Sequence, residues 1–172
     1  MATSKVQLDI IQPSFDDTCV IGINSGLRDY KLAWLINNKL SILLERQNDI
    51  IKDGGIYPFY SYFGGENDAV YNFVATSYDK KSIFDFSVRV DYLFIIRGEV
   101  SQQRIDFILK KLQEVDGIAF LMDGQKARLE TTLYDIEQHQ VEIDKKARQR
   151  NTVEYVKEEI RQRRTFLGVD ED

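Results

Sequence analysis

The chain has 172 residues, 43% of them hydrophobic and 12% aromatic, and a formal net charge of −5. That composition suits a globular core of ordinary size and excludes a disordered chain. The negative charge removes the general pull toward phosphate backbones, which argues against nucleic acid as a partner, and no apolar run approaches the ~20 residues of a membrane span.

The first residues lack a clear period, and 9–15 suit at most a short leading strand or arm. They contain no long apolar run of the kind that directs export, so a cytoplasmic protein is expected. Cys19, Val20, Ile21, Gly22 and Ile23 form a short apolar run that predicts a strand buried on both faces. Asn24, Ser25 and Gly26 end it, with Ser25 placed to cap a helix over 27–37. Leu32, Leu35 and Ile36 fall at helical spacing, and Ala33 and Trp34 widen the face. Trp34 and Cys19 therefore read as core residues. A second strand is expected over 40–46.

Asp53, Gly54 and Gly55 signal a turn. The aromatic segment 56–63 and the alternating segment 69–77 flank a Gly-rich loop, which predicts a β-hairpin. Pro58 lacks an N–H and belongs at a strand start or an edge. A polar link with Lys80 and Lys81 follows. Residues 88–97 carry the strongest strand signal, because Leu93, Phe94, Ile95 and Ile96 are apolar without alternation. Ser101 is placed to cap a helix with Ile105, Ile108, Leu109 and Leu112 on one stripe. Asp116 and Gly117 end it, and 118–122 is a last short strand.

This order predicts an α+β fold: a ferredoxin-like sandwich with an added β-hairpin, its antiparallel sheet carrying helices on one face. A long C-terminal helical extension follows. The expected units are a head over 1–124, a helical extension over 125–167 and a disordered tail over 168–172.

In the extension, Leu129, Leu133, Ile136, Gln140, Ile143 and Ala147 are spaced four and three residues apart, as in a heptad seam with one polar member. Val153, Val156 and Ile160 form a second stripe out of phase with it, which predicts a bend near Asn151 or two helices. The first stripe needs an apolar partner. Either a second copy supplies it, or the helix docks on the sheet face left open by the other two helices. The basic runs around Lys145–Arg150 and Arg161–Arg164 alternate with Glu154, Glu158 and Glu159, and read as a solvated helix face.

Catalytic chemistry finds little support. One cysteine, Cys19, and one histidine, His139, cannot build a Cys/His zinc site, so no metal and no cofactor is expected. Asp16 and Asp17 just before Cys19 disfavour its thiolate. Asp29, Asp85 and Asp91 are carboxylates without a fixed catalytic spacing. Tyr57, Tyr60, Tyr62, Tyr71 and Phe73 could stack bases, but no Lys or Arg lies between Gly54 and Ser77, so core packing is preferred. By strand parity Arg89, Asp91 and Arg97 share a face and could position an anionic ligand, although an ion pair at the strand ends is the preferred reading, since such pairs are common.

Three segments carry a family resemblance. They are Ile21-Gly22-Ile23, then Asp29-Tyr30-Lys31-Leu32-Ala33-Trp34 with Asn37, then Val90-Asp91-Tyr92 running on to Gly98. Together they resemble the bacterial IPExxxVDY family, over roughly 18–122. Val90, Asp91 and Tyr92 match the second half of the name-giving motif, whereas Phe84, Asp85 and Phe86 stand where the family has Ile-Pro-Glu. The resemblance implies a small bacterial intracellular domain and no known activity.

The reading from sequence is a non-enzymatic interaction or scaffold protein. Its helical tail would self-associate or dock on a protein partner through Leu129, Leu133, Ile136, Gln140, Ile143 and Ala147. The alternative is a small-ligand regulatory module using the sheet face or the helix–sheet edge near Asp91.

Overall fold

The described residues form thirteen elements, six of them strands of one sheet. The computed structural model describes residues 15–64, 69–84, 90–115, 118–122 and 126–166, without the side chains of 118, 126, 160 and 162–166. In chain order they are β1 (Thr18–Asn24), α1 (Asp29–Leu40), β2 (Glu45–Arg46), β3 (Ile50–Lys52), β4 (Gly55–Tyr57) and β5 (Phe59–Phe63). Then come β6 (Val70–Ala75), β7 (Ser77–Tyr78), β8 (Lys81–Ser82), β9 (Tyr92–Arg97), α2 (Gln102–Gln113), β10 (Ile118–Leu121) and α3 (Lys126–Phe166).

The sheet order is β10-β1-β9-β6-β5-β2, and each neighbouring pair is antiparallel. β1 and β6 therefore run parallel with β9 between them, and β9 and β10 run parallel with β1 between them. The long apolar run explains the central place of β9. Leu93, Phe94, Ile95 and Ile96 are all buried. Their side chains alternate between two cores, because successive residues of a strand point to opposite faces.

Phe94 and Ile96 join Ile21, Ile23, Tyr71 and Phe73 in a core capped by α1 and α2. Leu93 and Ile95 join Val20, Phe59 and Val74 in a second core, to which α3 contributes Leu129, Leu133 and Ile136. Burying each of these large side chains stabilises the fold by roughly 1.5–3 kcal/mol. Gly22 faces the second core. A Cβ there would lie 2.9 Å from the Met122 sulfur, so the glycine makes room for β10 and its flank to pack.

The α+β class, the antiparallel sheet and the long C-terminal helix agree with the sequence reading. Helices on one face do not: α3 covers the second face, so the sheet is the middle of three layers. The alternative of two helices parting near Asn151 does not hold either, since α3 runs through it as one helix of 41 residues. No Gly or Pro interrupts it, and the slip in apolar phase moves side chains around the axis without breaking backbone hydrogen bonds.

Smaller differences have local causes. α1 runs to Leu40 and closes on Ser41 in a left-handed conformation, while Asn37 both donates to the Leu44 carbonyl and accepts from its N–H. The strand expected over 40–46 thus shrinks to Glu45–Arg46. Ser25 accepts from the Leu27 N–H in the loop, and the helix N-cap is Arg28. Pro58 divides the aromatic segment, leaving β4 in a separate hairpin with β3. That hairpin turns at Asp53 and Gly54, both at positive φ. Ser101 caps α2 as expected, accepting from the Arg104 N–H.

Candidate functional site

The proximal half of α3 is fastened to the sheet by apolar and polar contacts. Leu129 and Ile136 are fully buried, and Gln140 is 9% exposed. Gln140 faces Asn72 of β6, which is itself 0% exposed. The Asn72 amide donates to Gln140 Oε1 at 2.9 Å, and the Gln140 amide donates to Asp144 Oδ1 at 2.8 Å. At the other end of this chain, the Arg97 guanidinium donates to Asn72 Oδ1. Burial lowers the Arg97 pKa, and the nearby carboxylates of Glu137 and Asp144 offset part of that shift. Two further ties hold the helix flank. Lys52 of β3 pairs with Asp135 at 3.0 Å, and the His139 ring meets the Asn48 carbonyl at 2.7 Å.

The first stripe is therefore spent on the chain's own sheet. Of the two arrangements its spacing allows, the structure shows docking on the open sheet face. Leu129, Leu133, Ile136 and Gln140 are buried, Ile143 is half-buried at the margin, and Ala147 is exposed.

The distal half of α3 differs. Residues 144–159 are exposed throughout. At about 100° per residue, Val156 points roughly opposite the arc through Leu129, Leu133 and Ile136, and Val153 is turned from it by more than a right angle. The sheet cannot reach this second stripe. Val153 is 53% exposed, Val156 45% and Tyr155 71%. Between 145 and 166 the sequence places eight Lys and Arg against three Glu, in a chain that is acidic overall. Glu142 and Lys146, and Asp144 and Arg148, stand one helical turn apart but form no ion pair among the described residues. Asp144 accepts from Gln140 instead.

Two recesses follow this edge of the helix. One, of about 320 Å³, lies between the loop after β2 and α3, with Arg46, Gln47 and Asn48 facing Ile143, Lys146, Ala147 and Arg150. The other, of about 550 Å³, runs on past Lys146 and Arg150 to Val153, Glu154 and Lys157. Lys146 and Arg150 belong to both, so the two recesses adjoin along one edge of α3, and the loop after β2 walls the first of them.

Of the residues expected to hold an anion, Asp91 and Arg97 lie at opposite ends of β9 and face different partners. Arg89 lies outside the described residues. Asp91 accepts from the Ser25 N–H at 2.9 Å at the far end of β9, and Arg97 is committed to Asn72. Tyr92 donates to the Leu27 carbonyl at 2.6 Å. Asp91 and Tyr92 thus grip the loop between β1 and α1. Burial pushes the Tyr92 phenol up to about 12, aided by Asp29 and Asp91.

Asp29 belongs to another satisfied cluster. It accepts from Tyr60 at 2.8 Å and from Arg46 at 2.7 Å, and Arg46 also pairs with Asp49. Tyr57, Tyr60, Tyr71 and Phe73 are buried and Tyr62 is partly so, which places the aromatic hairpin in the cores. Trp34 is not a core residue: it is 64% exposed, one turn from exposed Tyr30. It lies across the α1 axis from Leu32, Ile36 and Leu40.

Cys19 is buried at the wall of a cleft of about 560 Å³, which Asp16, Asp17, Glu99 and Ser101 also line. Asp91 does not line this cleft. Among the described residues no group of three or more His, Cys, Asp or Glu side chains could hold a metal ion, and no helix is long and apolar enough to cross a membrane.

The sequence contained one signal for the distal surface, the slip in phase at Val153 and Val156. Nothing local announced that Arg46, Gln47 and Asn48 would face Lys146 and Arg150, since the two segments lie about a hundred residues apart. No family model, no curated protein and no solved structure matches the chain.

Proposed function

We propose that this protein is a non-enzymatic cytoplasmic interaction or scaffold module whose distal half of α3 is its contact surface. The observation that carries the reading is the exposed second stripe on a helix whose proximal half is already anchored. Most helical stability in proteins comes from packing of an apolar face. Anchoring at Gln140 and Ile143 supplies the nucleus from which the helix propagates, and Val153 and Val156 are left for another molecule. Self-association belongs to this same surface, because Leu129, Leu133 and Ile136 are occupied by the sheet. The split β-α-β arrangement, with β1 parallel to β6 across β9 and β9 parallel to β10 across β1, supports a ferredoxin-like nucleus, with β2 and β5 as an elaboration. The grip of Asp91 and Tyr92 on the loop before α1 gives the Val-Asp-Tyr segment a structural role that suits IPExxxVDY membership.

Photo-crosslinking in the native cell tests the reading. A photoreactive residue in place of Val153 is expected to give a discrete adduct, either with a second copy or with another protein. The same residue in place of exposed Glu114 is the control. Equal, diffuse labelling from both positions overturns the reading.

A further inference from the structure

We infer that the groove formed by the distal half of α3 and the loop after β2 binds an acidic, amphipathic segment of a partner protein. This rests on the proposed interaction role and names the chemistry of the partner. Lys146, Arg150 and Lys157 fall within a narrow arc of the helix at about 100° per residue, so they form one basic edge. None of the three makes an ion pair among the described residues. Their charges are therefore available to a ligand, whereas Arg46 across the groove is held by Asp29 and Asp49.

The wall chemistry narrows the occupant. Val153 lines the groove between Arg150 and Lys157, and Ile143 and Ala147 line its other part. A ligand that fills it must offer apolar side chains to these residues and carboxylates to the cations. A helical or extended protein segment with acidic residues beside aliphatic ones does both. A second copy fits less well, because its own distal helix would bring a like-charged surface against this one. Like charges brought together across an interface cost several kcal/mol. The rest of the chain carries a net negative charge, so the basic groove also sets the orientation in which an acidic partner approaches.

The test uses the full chain and a fluorescein-labelled peptide of about 20 residues, with leucines at helical spacing and glutamates elsewhere. Fluorescence anisotropy is expected to show saturable binding at low salt that weakens at least about fivefold at ~0.5 M salt. Lys146→Glu with Arg150→Glu is expected to weaken binding at least about tenfold, and the two Gln substitutions by an intermediate factor. Both residues are exposed, so an unchanged thermal unfolding curve shows that the variants fold. A peptide with Gln for every Glu is expected not to bind.

Equal binding of the Gln peptide, or an unchanged affinity in the Glu variant, overturns the inference. Tighter binding to vesicles rich in phosphatidylserine or to a single-stranded RNA than to the acidic peptide overturns it in favour of that occupant. If the peptide fails while the Val153 position still crosslinks in the cell, the acidic partner is wrong and the interaction role stands. If both fail, the role falls as well.

Discussion

Gln140 Oε1 accepts a hydrogen bond from the amide of Asn72 at 2.9 Å, across the interface between α3 and the sheet. Both residues are buried, so neither amide has water to fall back on. The one polar position in the heptad stripe is thus matched to the one polar residue among the buried side chains of β6, and the match fixes the register of the helix on the sheet. A helix shifted by one turn would take Gln140 away from Asn72 and leave the buried Asn72 amide without its acceptor.

Asn72→Ala removes the middle of the chain that links Arg97 to Asp144. It is expected to cost about 2–3 kcal/mol, because an arginine and an amide are left unsatisfied in a buried place. Urea unfolding of the single variants and of Asn72→Ala with Gln140→Ala gives the coupling. A coupling of at least about 1 kcal/mol is expected, and additivity within about 0.3 kcal/mol would mean that the pair does not hold the helix.

Phe94→Ala tests the centre of the sheet. Phe94 is fully buried and sits against Tyr71 with ring centroids 6.0 Å apart. The lost transfer energy and the cavity together predict about 3–5 kcal/mol of destabilisation in a denaturant titration. Less than about 1 kcal/mol would mean that β9 is not central.

Trp34 is the chain's single tryptophan, so its fluorescence reports one site. The native emission is expected to be that of a water-exposed indole, open to acrylamide and little shifted on unfolding. Trp34→Ala is expected to change stability by no more than about 0.5 kcal/mol, the range of exposed positions. A blue-shifted native spectrum would place the ring in a core.

Tyr92 gives a pH dependence of defined sign. Its pKa in the folded state is about 12, above the ordinary phenol value. The folded state therefore favours the protonated phenol. The contribution is complete below about pH 10 and is lost as the unfolded chain ionises between about pH 10 and 12. Over that window wild type is expected to lose up to about 2–3 kcal/mol more than Tyr92→Phe. Parallel denaturation curves for the two proteins at pH 9 and pH 11 make the comparison. An identical fall in both would show that Tyr92 is not the titrating group.

Legibility in the sequence followed the range of the interactions. The unbroken apolar run of β9, the Ser101 cap and the stripe of α2 are local patterns, and each lies in the structure where its pattern placed it. The hairpin of β3 with β4 and that of β7 with β8 were missed, because strands of two or three residues carry too few side chains to show a period. Trp34 was misplaced because the apolar face of α1 was drawn too wide. Its angular position alone sets it opposite Leu32 and Ile36. The spacing of Leu129, Leu133 and Ile136 established that one face of α3 is apolar. It could not identify the covering surface, since a sheet and a second helix ask for the same four-and-three pattern. The groove beside Lys146 was illegible because its far wall comes from the loop after β2.

Truncation tests the division of α3 most directly, by measuring unfolding free energy on the full chain, a chain ending at Arg150 and a chain ending at Gly124. The chain ending at Arg150 is expected to match the full chain within about 1 kcal/mol, because no residue buried in either core lies beyond it. The chain ending at Gly124 uncovers Val20, Leu93 and Ile95 and is expected to aggregate or unfold. A loss of more than about 3 kcal/mol on removing 151–172 alone would show that the distal half belongs to the fold, and would contradict its assignment as a surface for partners.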